Sequence, residues 1–420
     1  MNNRLIAPQS VRHQTLYRWW LLFITVVLAA CQPKPPASPP TLTPNVEIVT
    51  LTPRPTRPPN LGGAVDHTAG SDNAYLTIIF YGDFTCAPCV DVARSLLVLR
   101  QRYAGDVREI FRSFPQSTKE DDKAMLAAQA AEAASDQGRF WEMHDLLYAQ
   151  QATWTTLPPS AFRQKLTDYA RQIGVADLVT FDQTLDSGRY KTLLEAARQE
   201  AQLQGLKGVP ALVFNTQRIN NVPYRGRIDE YSLDGYVRQR LLEKRWFDKQ
   251  PALQIDLNKH YTATLVTEKG DIVIELLVDK APVAVNNFVY LARQGWYDNI
   301  TWHLVIPDFL AQTGDPSGTG YGFTGYNIAD EMDNGLTFDA PGKVVMAHAL
   351  QSDAPHNTSS QFFITLAALE PRDLYDGRYT IFGQVTQGMD VVRKLTARDP
   401  FTDANPPPGD KLITIRIKEQ

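Results

Sequence analysis

The chain has 420 residues, a formal net charge of −4, 43% hydrophobic residues and three cysteines. No Lys/Arg stripe with interleaved aromatics occurs, which argues against nucleic acid as a partner. Three thiols exclude a four-thiolate metal site, and the roughly 360 residues beyond the N-terminal segment exceed one ordinary core, so two domains are expected.

The first predicted element is not part of a core. Arg4, Arg12 and Arg18 precede the apolar run Trp19–Ala30, which no acidic residue interrupts. A basic n-region followed by a short apolar h-region is the pattern of an export signal, and the run is short for a membrane-spanning helix. Leu28-Ala29-Ala30-Cys31 resembles a bacterial lipobox. That resemblance implies a signal peptide of residues 1–30, cleavage before Cys31 and a lipid on Cys31, and hence a membrane-anchored lipoprotein on the extracytoplasmic face of a bacterial cell envelope. An uncleaved signal anchor is the alternative. Residues 31–60 are dense in Pro, Thr and Ser and are expected to be a semi-rigid, membrane-proximal linker. Within it, Val46–Leu51 is a candidate short strand.

Residues 61–250 carry the next set of elements. Tyr75–Tyr81 reads as a buried strand. Cys86-Ala87-Pro88-Cys89 follows it, and Val92, Leu96, Leu97 and Leu99 recur at helical spacing. Cys86 is therefore expected at or just before a helix N-terminus, where exposed N–H groups and the helix dipole favour a thiolate. Cys89, one turn further on, is placed to attack a mixed disulfide formed at Cys86. A structural disulfide and half a zinc site are the competing readings; zinc needs two more ligands, and His144 is the one histidine in the middle of this region. A strand at Val107–Phe114 comes next, then helices over roughly Lys123–Leu206, including one opened by Pro158-Pro159-Ser160. The turn Gly208-Val209-Pro210 leads into a strand through Phe214, and a helix is expected over Leu233–Lys244.

A strand, a CxxC at a helix start, a large helical insertion and a Val-Pro turn before a strand resemble the DsbA-like branch of the thioredoxin superfamily. The resemblance implies an α/β thioredoxin-like fold, a cis Pro210 beside the sulfurs, and contact of the Val209 backbone with substrate. Cys86, Cys89 and Pro210 are then the catalytic set of a thiol-disulfide oxidoreductase recycled by a redox partner. Ala87-Pro88 leaves oxidant, isomerase and reductant open as directions.

From about residue 257 the periodicity changes to short strands. Thr262–Val266 and Asp271–Leu277 flank Glu268-Lys269-Gly270, a helix is expected over Pro282–Arg293, and strands with glycine turns continue to Lys418, as in a closed barrel. Three motifs sharpen this reading: Trp302–Asp315, expected as a strand, Ser360–Ile364 and Asp376–Gly383. With Lys269-Gly270-Asp271 and Ala281–Phe288 they resemble the cyclophilins in the family's order over residues 257–420. The resemblance implies a closed eight-stranded barrel with flanking helices and peptidyl-prolyl cis-trans isomerase activity. Phe309, Leu310, Phe363 and Tyr375 would line the proline pocket, and Gln312 would hold substrate backbone. Ala347, His348 and Gln361 would flank the groove, and Tyr379 stands where many members have histidine. Two positions depart from the family: Leu304 replaces its catalytic arginine and Leu374 its pocket tryptophan. Phe288 and Phe362 are expected to be core, and His303 a structural hydrogen-bonding residue.

Together these readings describe an exported, lipid-anchored folding factor that acts on unfolded or partly folded exported polypeptides and needs no cofactor. The alternative is a redox enzyme whose cyclophilin-like barrel, degenerate at Leu304, only binds client peptides.

Overall fold

The computed structural model describes residues 66–117, 122–203, 205–348, 358–403 and 405–420. The signal, the Cys31 anchor and the linker, with its candidate strand at Val46–Leu51, lie outside the described residues. Among the described residues, no helix is long and apolar enough to cross a membrane.

The first sheet has the order β1-β3-β2-β4-β5, formed by His67–Gly70, Leu76–Gly82, Val107–Ser113, Ala211–Asn215 and Val222–Pro223 as β1 to β5. β2 and β3 are parallel, so the chain must cross over between them, and helix α1 (Ala87–Arg102) is that crossover. β2 is apolar on both faces because both faces are covered. Leu76, Ile78 and Phe80 pack with Val92, Leu96 and Leu99 of α1. Ile79 and Tyr81 pack on the other side with Phe114, Ala201 and Val213.

The helical insertion between β3 and β4 contains α2 (Lys123–Ser135), α3 (Phe140–Ala149), α4 (Gln151–Trp154), α5 (Pro159–Gln172), α6 (Leu178–Asp186) and α7 (Lys191–Leu203). Helix α2 is its hub and touches α3, α5, α6 and α7. Its alanines at 124, 127, 128, 130, 131, 133 and 134 are all buried. A helix sheathed in methyl groups lets neighbours approach closely on every side, so burial there is nearly complete around the axis. Helix α8 (Glu230–Leu242) starts earlier than its apolar pattern suggests, because the Asp229 carboxylate accepts from the Ser232 N–H and caps it.

The second sheet has nine strands: β6 (Tyr261–Thr267), β7 (Gly270–Leu276), β8 (Ile300–Thr301), β9 (Leu304–Ile306), β10 (Leu310–Thr313), β11 (Lys343–His348), β12 (Thr358–Thr365), β13 (Ile381–Gln387) and β14 (Lys411–Glu419). Their order is β8-β14-β6-β7-β13-β11-β12-β10-β9. The sheet is a half-barrel, which corrects the expected closed barrel of eight strands. Its terminal strands, β8 and β9, form no ladder with each other. The chain itself joins them, through the two buried residues Trp302 and His303. The pattern of short strands cannot tell a ladder from such a covalent link. The segment Trp302–Asp315, expected as one strand, is a hairpin of β9 and β10 turning at Asp308, whose φ is +58°. Helix α9 spans Pro282–Arg293 as its pattern predicts, with Pro282 in the first turn, where a missing N–H costs nothing. Phe288 and Phe362 are fully buried core, as expected.

Candidate functional site

Two sets of functional residues come together, one in each sheet's domain. In the first, Cys86 is the N-cap of α1 and is bonded to Cys89 with the sulfurs 2.10 Å apart. The Cys89 N–H donates to the Cys86 Sγ at 3.2 Å as well as to the Cys86 carbonyl at 3.1 Å, so a first-turn N–H already points at the N-terminal sulfur. Cys86 keeps 7% of its surface and Cys89 none. An incoming thiolate therefore meets Cys86 first. Pro88 lies in the first helical turn, and the Val209–Pro210 bond is cis. The register pairs Tyr81 with Ala211, so Pro210 stands at the end of β2 from which the cysteine loop departs. Val209 packs against the apolar cluster that contains both cysteines.

Three supporting residues carry no sequence signal. The Gln151 carboxamide, 65 residues from Cys86, donates to the Cys86 carbonyl at 2.9 Å and to the Phe84 carbonyl at 2.7 Å. The buried Asp83 carboxylate accepts from the Thr85 N–H, the Thr85 hydroxyl and the Gln116 N–H. These bonds hold the loop before the CxxC from both sides. His144 is also fully packed, edge-on to Phe84 at 5.7 Å and to Phe111 at 4.6 Å, and burial holds its pKa below the ordinary imidazole value.

In the second domain, Leu310, Ala347 and Phe363 fall into one apolar cluster, with Leu304, Phe309, Tyr375 and Tyr379 packed against it. These include all four residues predicted to line the pocket. Phe309 meets Tyr375 edge-on at 6.3 Å and Phe363 meets Tyr379 edge-on at 6.0 Å. The strand register places Gln312 directly opposite Leu304 on one side and Phe363 on the other. His348 stacks on Tyr379 at 4.7 Å, with its Nε2 3.5 Å from the buried Asp330 carboxylate. Leu336, Phe338 and Leu369 belong to the same cluster and escaped the sequence reading. The alternation of Leu336 and Phe338 just after Gly335 was the available signal. Leu374, at the expected tryptophan position, lies on a short 3-10 turn, Arg372–Leu374.

Gln361, expected at the groove's flank, is tied to Gln312 and to a neighbouring loop. Its side chain is buried, with the amide donating to the Gly320 and Gly322 carbonyls at 3.0 and 3.1 Å, while its oxygen accepts from the Gln312 amide at 3.0 Å. It anchors a neighbouring loop and orients Gln312. His303 departs from expectation. Among the described residues, neither of its ring nitrogens has a hydrogen-bond partner, while its backbone carbonyl accepts from the Arg398 guanidinium at 3.0 Å.

Comparison with known proteins supplies the family. Residues 262–417 match the model of the cyclophilin type peptidyl-prolyl cis-trans isomerase family, and residues 64–228 match a thioredoxin model. A peptidyl-prolyl cis-trans isomerase-like 1 of Gibberella zeae is 38% identical over 159 residues, covering 37% of this chain and 94% of that protein. One of Rhizopus delemar is 45% identical over 155 residues, covering 36% of this chain and 86% of its own. A crystal structure of a cyclophilin type peptidyl-prolyl cis-trans isomerase from Cryptosporidium parvum aligns with 30% identity and a TM-score of 0.34, covering 38% of this chain and 98% of that one. The chain thus carries a thioredoxin-type domain followed by a cyclophilin-type domain, and through the latter it belongs to the cyclophilin-type peptidyl-prolyl cis-trans isomerase family.

Proposed function

We propose that this chain is an exported, lipid-anchored protein-folding factor that combines thiol-disulfide exchange with prolyl isomerisation. The observation that carries the reading is the Cys86–Cys89 pair capping α1 in a thioredoxin-type domain that is continuous with a cyclophilin-type domain. Its relatives of that second type carry the name peptidyl-prolyl cis-trans isomerase-like 1. Disulfide formation and X-Pro isomerisation are both slow steps in the folding of exported chains, so one molecule serving both has a physical rationale.

In the redox half, a client thiolate attacks the Cys86 sulfur, a mixed disulfide forms, and the Cys89 thiolate leaves. A second client thiolate then attacks the client sulfur of that mixed disulfide. The Cys86 thiolate departs, so the client loses two electrons and the cysteine pair gains them. Run backwards, the same steps reduce a client. Thiolate character at Cys86 is favoured by the helix N-terminus. In the isomerase half, the apolar cluster around Phe309 and Phe363 receives the proline ring and Gln312 holds the peptide backbone. Leu304 offers no donor to the twisted amide, so slow turnover is expected.

The test is Cys86→Ala in the full chain. The expected outcome is loss of both insulin reduction and thiol oxidation with unchanged X-Pro isomerisation. Full redox activity in that variant would remove Cys86 as the nucleophile.

A further inference from the structure

The cyclophilin-type domain's loop from Ser317 to Gly322 is held on two sides. From within its own domain, the fully buried Asp315 carboxylate accepts from the N–H groups of Ser317, Thr319, Gly320 and Gly322. The Gly320 and Gly322 carbonyls then receive the Gln361 amide, whose oxygen orients Gln312. From the other domain, α8 lies along the same loop. The Arg238 guanidinium donates to the Ser317 carbonyl, and the Gln239 amide donates to the Tyr321 carbonyl at 3.2 Å. The approach is close enough that a Cβ on Gly235 of α8 would sit 3.4 Å from the Thr319 methyl. Arg238 is itself fixed. Its Nε donates to Asp234 at 2.8 Å, and the other oxygen of Asp234 accepts from Arg102 at 2.6 Å and Tyr103 at 2.8 Å, where α1 ends.

We infer that Arg238 of the thioredoxin-type domain is a positioning residue for the cyclophilin-type groove, acting through the Ser317–Gly322 loop and the Gln361–Gln312 pair. The inference rests on the isomerase reading of that groove. Leu304 gives it added weight. With no guanidinium at that position, the groove depends more heavily on the placement of Gln312. A loop held only by Asp315 has one fixed side, and its Gly320 and Gly322 carbonyls set where the Gln361 amide can sit. Arg238 closes the second side without touching substrate, so its removal should weaken substrate holding rather than the chemical step.

The experiment uses the full-length protein and an X-Pro test peptide, with KM and kcat measured by isomerisation and peptide affinity by fluorescence anisotropy. Arg238→Ala is expected to raise KM and Kd roughly three- to ten-fold with kcat nearly unchanged, a coupling of ordinary size for groups linked through packed neighbours. Arg238→Lys, which keeps the donor and charge, is expected to restore most of the affinity, and Gln239→Ala to weaken it less. Insulin reduction at the wild-type rate in each variant shows that the thioredoxin-type domain remains folded. Unchanged KM and Kd in Arg238→Ala would overturn the positioning role while leaving the isomerase reading intact. If Arg238→Ala does not fold, wild-type KM in Gln239→Ala together with no difference between Arg238→Lys and Arg238→Gln would overturn it. A wild-type protein that neither binds nor isomerises the peptide would overturn the reading of the groove, and this inference with it.

Discussion

His303 occupies the link between β8 and β9 with no exposed surface and, among the described residues, no partner for either ring nitrogen. Burial brings its pKa down to about 4, with the nearby Asp315 charge opposing that shift and Arg398 adding to it. An unfolded histidine titrates near 6.5. Between those values the unfolded chain takes up a proton that the native state refuses, so stability from this residue is present above about 6.5 and lost as pH falls toward 4. The full window corresponds to roughly 3 kcal/mol. Glu109 acts in the opposite sense, because burial raises its pKa to about 7 despite the neighbouring Arg100. The variant must therefore be set against wild type, not the raw profile read alone. His303→Gln is expected to flatten the fall in thermal midpoint between pH 6.5 and 4.5 relative to wild type; parallel profiles would show that His303 does not titrate in this window. At this scale the sequence revealed residue types more readily than partners. Cys86 was legible from motif and spacing, and Phe309 and Phe363 only through the resemblance to the cyclophilins. Gln151 was not, since its bond to the Cys86 carbonyl joins segments 65 residues apart. The burial of the Gln361 amide was hidden for the same reason.

Among the elements, β10 and β12 carry the groove, and Gly314 ends the first of them. Its φ is +97°, and a Cβ there would fall 2.4 Å from the Ser360 carbonyl oxygen and 2.7 Å from the Gln361 Cα. Backbone has nowhere to yield without shifting Gln361. Gly314→Ala is expected to destabilise the cyclophilin-type domain by about 2–4 kcal/mol, combining left-handed strain with the clash, and to weaken X-Pro peptide binding. An unchanged thermal midpoint with unchanged affinity would contradict that placement. Element types were read well from periodicity. The continuous apolar run at β2, the alanine-rich α2 and the Pro-started α9 each follow from what their faces must bury. The turn inside Trp302–Asp315 was missed because Asp308 adopts its positive φ with neither glycine nor asparagine to announce it. The half-barrel was missed because sheet closure depends on pairing between distant strands, which local pattern does not encode.

For the whole molecule, the Cys86–Cys89 pair and the apolar cluster around Phe309 and Phe363 belong to separate sheets, joined by the sequence that follows α8. Export and anchoring rest on Cys31 and the residues before it, and those belong to the proposal. Cys31→Ser is expected to move the protein from the membrane fraction to the soluble extracytoplasmic fraction and to abolish metabolic labelling by a lipid precursor. A wild-type protein that sits in the membrane without taking up the label would instead favour an uncleaved signal anchor. The pairing of a thioredoxin-type with a cyclophilin-type domain was legible from motif order alone, whereas the docking of α8 on the Ser317–Gly322 loop was not, because it depends on side chains from both domains meeting in space.

In the proposed function, the apolar cluster around Phe309 and Phe363 serves as the proline pocket while Leu304 leaves it without its main electrostatic donor. Leu304 packs at the edge of the apolar cluster directly opposite Gln312, and an arginine placed there can extend its head along the groove. The decisive measurement is X-Pro isomerisation by the full-length protein, comparing wild type with Leu304→Arg and following peptide binding in parallel. Slow but measurable wild-type turnover is expected, with a gain of roughly 10²-fold in the variant, the value of one preorganised donor. Peptide binding without turnover in both proteins would contradict it and leave the domain a holder of client chains.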